Sequence, residues 1–217
     1  MKPESNRSPA TATAWRRWHN WLVVALLLGA VLAALRLYPH APLSAGIATS
    51  TAVLDDHDRL LRFALSRDDK YREWTPLADI PRDLVEAVQL HEDRWFRWHP
   101  GFNPWSLARG AIVTYVRGGA RQGGSTLTMQ LVRLLHRDST RTPGGKAVQV
   151  LRAMWLELRH SKSEILEAYL NLAPYGGNIE GVAAASRIYF DKPVSALTLP
   201  ESLTLAVLPQ DPSRRVR

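Results

Sequence analysis

The spacing of apolar residues along the chain changes character several times. Residues 21–35, WLVVALLLGAVLAAL, are apolar without a break, which falls short of the ~20 residues that cross a bilayer. Trp18 on one side and Leu37 and Tyr38 on the other lengthen the run, and Arg36 can carry its charge outward on its own stem. A membrane span over 18–38 is the prediction. Residues 39–50 are rich in Pro, Ala, Ser and Thr and read as a linker. TAVLDDHDRLLRFAL, residues 51–65, has two apolar runs around DDHD, the pattern of a small hairpin. DDKYREW, residues 68–74, follows as a polar connector.

From Pro81 the pattern is helical almost to the end. In PRDLVEAVQLHEDRWF, Leu84, Val88, Glu92 and Phe96 recur every four residues, so Glu92 lies on the apolar stripe of a helix. Asn103 and Pro104 suit an N-cap and a first-turn proline. GGSTLTMQLVRLL, residues 123–135, reads as a glycine loop opening a helix capped by Ser125 or Thr126. Leu127, Leu131, Leu134 and Leu135 form its apolar face, and Thr126, Gln130 and Arg133 a polar one. Ser161 with Glu164, and Thr198 with Glu201, fit capping boxes. There are no repeats, and the fold class is mostly α.

Composition narrows the choices further. At 217 residues the chain suits one domain with an appendage. A net charge of +8 and a pI near 10.2 favour phosphate-bearing partners or an anionic membrane surface. Nucleic acid is disfavoured, because no zinc-finger spacing, RNA-binding signature or Gly-Lys phosphate loop is present. There is no cysteine, hence no disulfide and no thiolate metal site. Lys2, Arg7, Arg16 and Arg17 precede the apolar segment and place the N-terminus in the cytoplasm. Trp15, Trp18 and Trp21 would form an interfacial belt. A cleaved signal peptide is the competing reading, with LSAG at 43–46 as a poor cleavage site. Either reading exports the chain from about residue 40.

The candidate chemistry starts at HEDRWFRWHPGF, residues 91–102, where Glu92 and Asp93 sit among Trp95, Phe96, Trp98 and Phe102. A carboxylate among rings is either a solvated helix end or an acid–base group tuned by an apolar wall. GGST at 123–126 offers close backbone approach and free N–H groups to an anion such as pyrophosphate, or is simply a capped helix. Lys146 and Arg152 suit a phosphate contact and a wet face equally well. Tyr169 and Asn171 in AYLN read alone as a helix C-terminus.

The order of these motifs is more specific than any one of them. EDRWFRWHPG, GGSTLTMQ, a Lys-bearing helix, ILEAYLN and LPQDPS resemble the biosynthetic peptidoglycan glycosyltransferase domain of family 51, over roughly residues 50–215. HEDRWFRWHPGFNP and the TMQ ending look most like penicillin-binding proteins of the 1C type. The resemblance implies a lysozyme-like, two-lobed α fold, with a cytoplasmic tail at 1–17, an anchor at 18–38, a linker at 39–50 and the catalytic domain at 51–217. It implies a membrane-facing jaw around 97–120 bearing Trp98, Phe102, Trp105, Leu107 and Ile112. It also implies a location at the bacterial inner membrane with the domain in the periplasm. The substrates would be lipid II and the growing glycan chain, and other cell-wall synthesis proteins are candidate partners.

By the same resemblance Glu92 is the catalytic base, its proton affinity raised by the apolar wall. Arg133, Lys146 and Arg152, with the Gly123, Gly124, Ser125 and Thr126 loop, would hold the departing pyrophosphate, and Asp93, His99, Gln130, Gln149, Tyr169 and Asn171 would shape the pocket. Two departures stand out. Where the family has Arg-Lys-x-x-Glu, this chain has Gly145, Lys146 and Gln149, and Arg133 replaces the usual Lys. With an amide at 149, no cofactor is expected to be required, and a Mg²⁺ or Mn²⁺ requirement is doubtful. No Ser-x-x-Lys or Lys-Thr-Gly occurs in these residues, so no transpeptidase domain is expected. The alternatives are a non-catalytic membrane-anchored lipid II or peptidoglycan-binding module, and a lysozyme-like enzyme that cuts glycan.

Overall fold

A computed structural model describes residues 10–57, 59–112, 124–136 and 142–210. The chain divides into two units, residues 1–40 and 41–217. The first is helix α1 (Ala10–Leu37), whose segment Trp18–Leu37 is 20 residues long with a mean hydropathy of 2.1. None of that segment is buried. Length and composition suffice to cross a bilayer.

The second unit is mostly helical. It opens with a hairpin, β1 (Thr51–Leu54) and β2 (Leu60–Ala64), paired antiparallel from Thr51 opposite Ala64 to Leu54 opposite Leu60, with an irregularity after Val53. Helices α2 (Arg82–Glu92), α3 (Pro104–Ala111), α4 (Leu127–His136), α5 (Pro143–Arg159), α6 (Lys162–Leu172), α7 (Val182–Phe190) and α8 (Leu199–Val207) follow. The helices on either side of α4 are tied to it, since α4 packs against both α5 and α6, while α2 packs against α8.

That central position departs from the single apolar face read in the sequence of α4. Leu127 and Leu131 are buried in the main core with Leu84, Val88, Phe96 and Ile165, as the leucine spacing predicts. Met129 and Val132 are buried too, in a second cluster with Ala153. A helix flanked on both sides keeps only a narrow open face, with Gln130 half-buried and Arg133 exposed, and even Thr128 is fully buried, its hydroxyl donating to Glu157.

The capping signals act locally and appear where the sequence puts them. The Asn103 side chain accepts from the N–H groups of Trp105 and Ser106. Ser161 accepts from the N–H of Glu164, whose carboxylate accepts in return from the N–H of Ser161. The Glu201 carboxylate accepts from the N–H and hydroxyl of Thr198.

Three features differ from the sequence reading. The stretch taken as a linker is docked from Leu43 onward: Leu43 and Ile47 pack on the core, and Ser50 exchanges hydrogen bonds with Lys70 and Arg72. The polar connector is stitched inward. Arg72 is buried between the carboxylates of Asp68 and Glu180, and Glu73 pairs with Arg187. Finally, α6 is followed by a small antiparallel hairpin, β3 (Pro174–Gly176) and β4 (Ile179–Glu180). Polar residues whose partners lie over 100 positions away read as solvated segments in a local pattern.

Candidate active site

The site is assembled around the N-terminal turn of α4. The end of α2 approaches it from one side and α5 from the other. Helix α2 stops at Glu92, and Asp93 is its C-cap. The chain then turns through Phe96–Trp98 and reaches His99, which is buried with Asp93. Asp93 Oδ2 accepts from His99 Nε2 at 2.9 Å and from the N–H of Leu127 at 3.0 Å. The carboxylate thus satisfies an orphan donor of α4 and fixes that helix against the end of α2. Thr126, rather than Ser125, is the helix cap: its hydroxyl accepts from Met129 N–H and donates to Gly101 O at 2.6 Å. Gly101 has φ +91°, and a Cβ there would lie 2.7 Å from the carbonyl oxygen of Ala153, so α5 excludes any larger residue.

Glu92 is half-buried. Its Oε2 accepts from Gln130 Nε2 at 2.8 Å, and Gln130 Oε1 in turn lies 3.4 Å from the Tyr169 hydroxyl. Its Oε1 is buried and has no hydrogen-bond partner among the described residues. Of the rings expected around this carboxylate, Trp95 lines the same cavity as Glu92 but is open to solvent. Trp95 and Trp98 are 58% and 84% exposed, and only Phe96 of that trio is buried. The residues that feel the Glu92 charge are two tyrosines. Burial first, and Glu92 second, push the Tyr169 and Tyr175 hydroxyls well above the ordinary range, so both stay protonated donors.

Lys146 and Arg133, the latter on α4 itself, form a cationic group. Lys146 Nζ donates to Ser125 Oγ at 2.6 Å and to Gln149 Oε1 at 3.0 Å, with no carboxylate among its described partners. Burial, then the nearby Arg133 charge, lower its pKa to about 8. Two like charges converging with no counter-ion among the described residues form a site that an anion would complete.

The structure therefore brings together Glu92, Asp93, His99, Ser125, Thr126, Gln130, Arg133, Lys146 and Tyr169. Gly124 belongs with them, because a Cβ on it would lie 2.6 Å from Ser106 O. Gly123 lies outside the described residues. Arg152 is half-buried on α5, three residues beyond Gln149. Two residues read as pocket-lining are placed elsewhere. Asn171 is completely buried and spends its amide on the backbone: Oδ1 accepts from Thr75 N–H, and Nδ2 donates to the carbonyls of Thr75 and Glu167. Gln149 is 1% exposed and braced between helices, with Nε2 donating to Met129 O at 2.6 Å.

The jaw residues also divide. Trp98, Trp105 and Ile112 are exposed, while Phe102 and Leu107 turn inward onto Met129, Val132 and Ala153.

The donor set at 146–149 does not fit a divalent cation. The amide oxygen there already accepts from an ammonium group, the neighbouring charges are positive, and no carboxylate joins them among the described residues. Tyr175 was missed in the sequence. It is fully buried, with its hydroxyl unpartnered among the described residues and within reach of the Glu92 field. Only its place in a Pro-Tyr-Gly-Gly turn marked it, and that signal is generic.

A family model described as transglycosylase matches residues 58–217. Penicillin-binding protein 1C of Escherichia coli (strain K12) is 43% identical over 198 residues, covering 89% of this chain and 25% of that protein. Penicillin-binding protein 1A of Haemophilus influenzae is 42% identical over 137 residues, covering 63% of this chain and 16% of that protein. The chain thus spans a quarter or less of the length of these relatives. A 2.6 Å crystal structure of the Haemophilus influenzae protein aligns with 77% of this chain and 14% of its own, at 19% identity and a TM-score of 0.32.

Proposed function

Since the chain belongs to the transglycosylase family, we propose that its helical domain polymerises lipid II into β-1,4 glycan strands. Glu92 Oε1 takes the proton from the 4-hydroxyl of the acceptor GlcNAc. The freed oxygen forms a bond to C1 of the MurNAc at the reducing end of the growing chain. The C1–O bond to the diphosphate breaks with inversion, and undecaprenyl pyrophosphate leaves with the electron pair. Lys146, Arg133 and the Ser125 hydroxyl take up the charge that develops on the leaving group. Tyr169 and Gln130 hold the second oxygen of Glu92 in place. Helix α1 keeps the domain at the membrane that contains both lipids, with its basic N-terminus in the cytoplasm.

One observation supports this reading above all. A carboxylate with one oxygen fixed by Gln130 of α4 and the other unpartnered shares the site with Lys146 and Arg133, a cationic pair with no carboxylate partner among the described residues. Base-assisted displacement of an anionic leaving group needs both parts. The test is to incubate the purified full chain with lipid II in detergent and separate the products on a gel. Polymer is expected. Glu92→Gln should slow its formation ~10²–10⁴-fold while lipid II binding and thermal stability persist. A variant that keeps more than a tenth of the wild-type rate would remove Glu92 from the role of base. Cleavage of isolated sacculi without polymer would point to a lytic enzyme, and binding without product to a module.

A further inference from the structure

Helix α6 opens with a residue that its local structure does not favour. Lys162 is the first residue after the Ser161 cap, where a cation opposes the helix dipole and the free N–H groups of the first turn. A local rule broken in this way points to a tertiary role that offsets it.

The Lys162 ammonium meets a carbonyl, a carboxylate and a ring. Nζ donates to His99 O at 2.7 Å and to Glu157 Oε1 at 2.7 Å, and it lies 4.4 Å from the ring centroid of Phe96. Phe96 is buried, and the Glu157 side chain is 9% exposed. The same Glu157 oxygen accepts from the Thr128 hydroxyl of α4 at 2.6 Å. One side chain at the start of α6 thus touches the turn after α2 and, through Glu157, joins α5 and α4.

That turn carries the residues that seat the proposed base. The His99 ring meets Asp93 Oδ2 at 2.9 Å, and the same oxygen accepts from the N–H of Leu127 at the start of α4. Gly101 O accepts from the Thr126 hydroxyl, and a Cβ on Gly101 would lie 3.0 Å from Glu157 Cγ. Glu92 is the last residue of α2 and Asp93 its C-cap. The direction of Glu92 therefore depends on how Asp93 is pinned to α4. That in turn depends on where the His99 ring lies, and the ring follows its own backbone.

We propose that Lys162 is a positioning residue for the base: by holding the His99 carbonyl it keeps the His99 ring on Asp93, and so keeps the end of α2 in register with α4. It acts through His99 and Asp93, not by contact with substrate. This assignment rests on the polymerase reading above. The competing role is purely structural, the neutralising of a buried Glu157.

The test is the initial polymerisation rate of the full chain in micelles, measured against lipid II concentration well below the thermal midpoint. Lys162→Met should lower kcat about tenfold or more with KM nearly unchanged, the signature of a misplaced catalytic group. Lys162→Met/Glu157→Met leaves no buried charge unpaired, a replacement that is often neutral or stabilising. Its thermal midpoint should recover, while its kcat should stay low because His99 O still lacks its donor. Lys192→Met, which breaks the ion pair with Glu201 elsewhere in the domain, should leave kcat unchanged. A wild-type kcat in Lys162→Met or in the double variant overturns the proposal, and so does a KM that rises at constant kcat.

If the wild type forms no polymer, the polymerase reading fails by itself. Amide hydrogen exchange over residues 93–102 and at Leu127 then tests the positioning directly. Exchange should be faster in the double variant than in the wild type at equal thermal stability, and equal rates overturn it.

Discussion

Lys146 shows how a single neighbour sets a residue's chemistry. Its partners are a hydroxyl and an amide oxygen, and burial with the Arg133 charge brings its pKa down to about 8. An ordinary lysine keeps its charge to about pH 10.4. Here the cation is lost as pH rises through about 8, and affinity for an anionic leaving group falls with it. Polymerisation measured from pH 6.5 to 9.5 should show an alkaline limb near 8. Lys146→Arg should remove that limb, because guanidinium does not titrate there. A flat profile to pH 9 would mean the charge on Lys146 is not used. Gln149 supports the same argument, since its N–H donates to Met129 O and its oxygen accepts from Lys146. Gln149→Glu would move the limb to higher pH by pairing Lys146, and would lower stability by leaving the Met129 carbonyl without its donor. The wild-type rate should be insensitive to EDTA and should fall far more in Lys146→Ala; loss of activity on chelation would show that a metal acts here after all.

The second scale is that of the elements and their ties. Asn171, in the last turn of helix α6, bonds both polar groups of the Thr75 backbone. Asn171→Ala would leave those groups buried and unpaired, at ~1–3 kcal/mol for each. Its melting temperature should drop by several degrees, while KM for lipid II measured well below the transition should match wild type. A pocket residue would behave in the opposite way. The cap at the start of the same helix is a milder case, and Ser161→Ala should cost ~1 kcal/mol by denaturant titration. Glu157 ties three elements at once, accepting from Thr128 of α4 and from Lys162 of α6, whose ammonium also reaches His99 O. These ties explain how a site built on three helix ends can hold fixed distances.

For the molecule as a whole, the proposal to test is that α1 anchors the chain in a membrane. Its 20-residue apolar segment follows Arg16 and Arg17. A reporter active only in the periplasm, fused after residue 217, should be active, and the mature protein should keep its first residues. Sequencing a new N-terminus near Gly46 would replace the anchor by a signal peptide and leave export intact.

The sequence by itself determined what depends on near neighbours. The apolar run of α1, the first hairpin, the Leu84–Val88 stripe, the α4 leucines and the caps at Asn103, Ser161 and Thr198 all involve residues within one or two turns, and periodicity reports them. Motif order also grouped Glu92, Gln130 and Lys146 as one proposed site, and the fold sets Gln130 against Glu92. Tertiary structure decided which polar side chains face the cleft and which brace the core. Asn171 bonds a backbone 96 residues away, and Gln149 one 20 residues away. Arg72 is buried against a carboxylate 108 residues away. The same holds for Trp95 and Trp98, which the sequence placed around Glu92 and the fold leaves exposed to solvent. Hydrogen-bond partners distant in the chain leave no mark in a local pattern, so an identical amide can line a pocket or hold a loop until the packing is known.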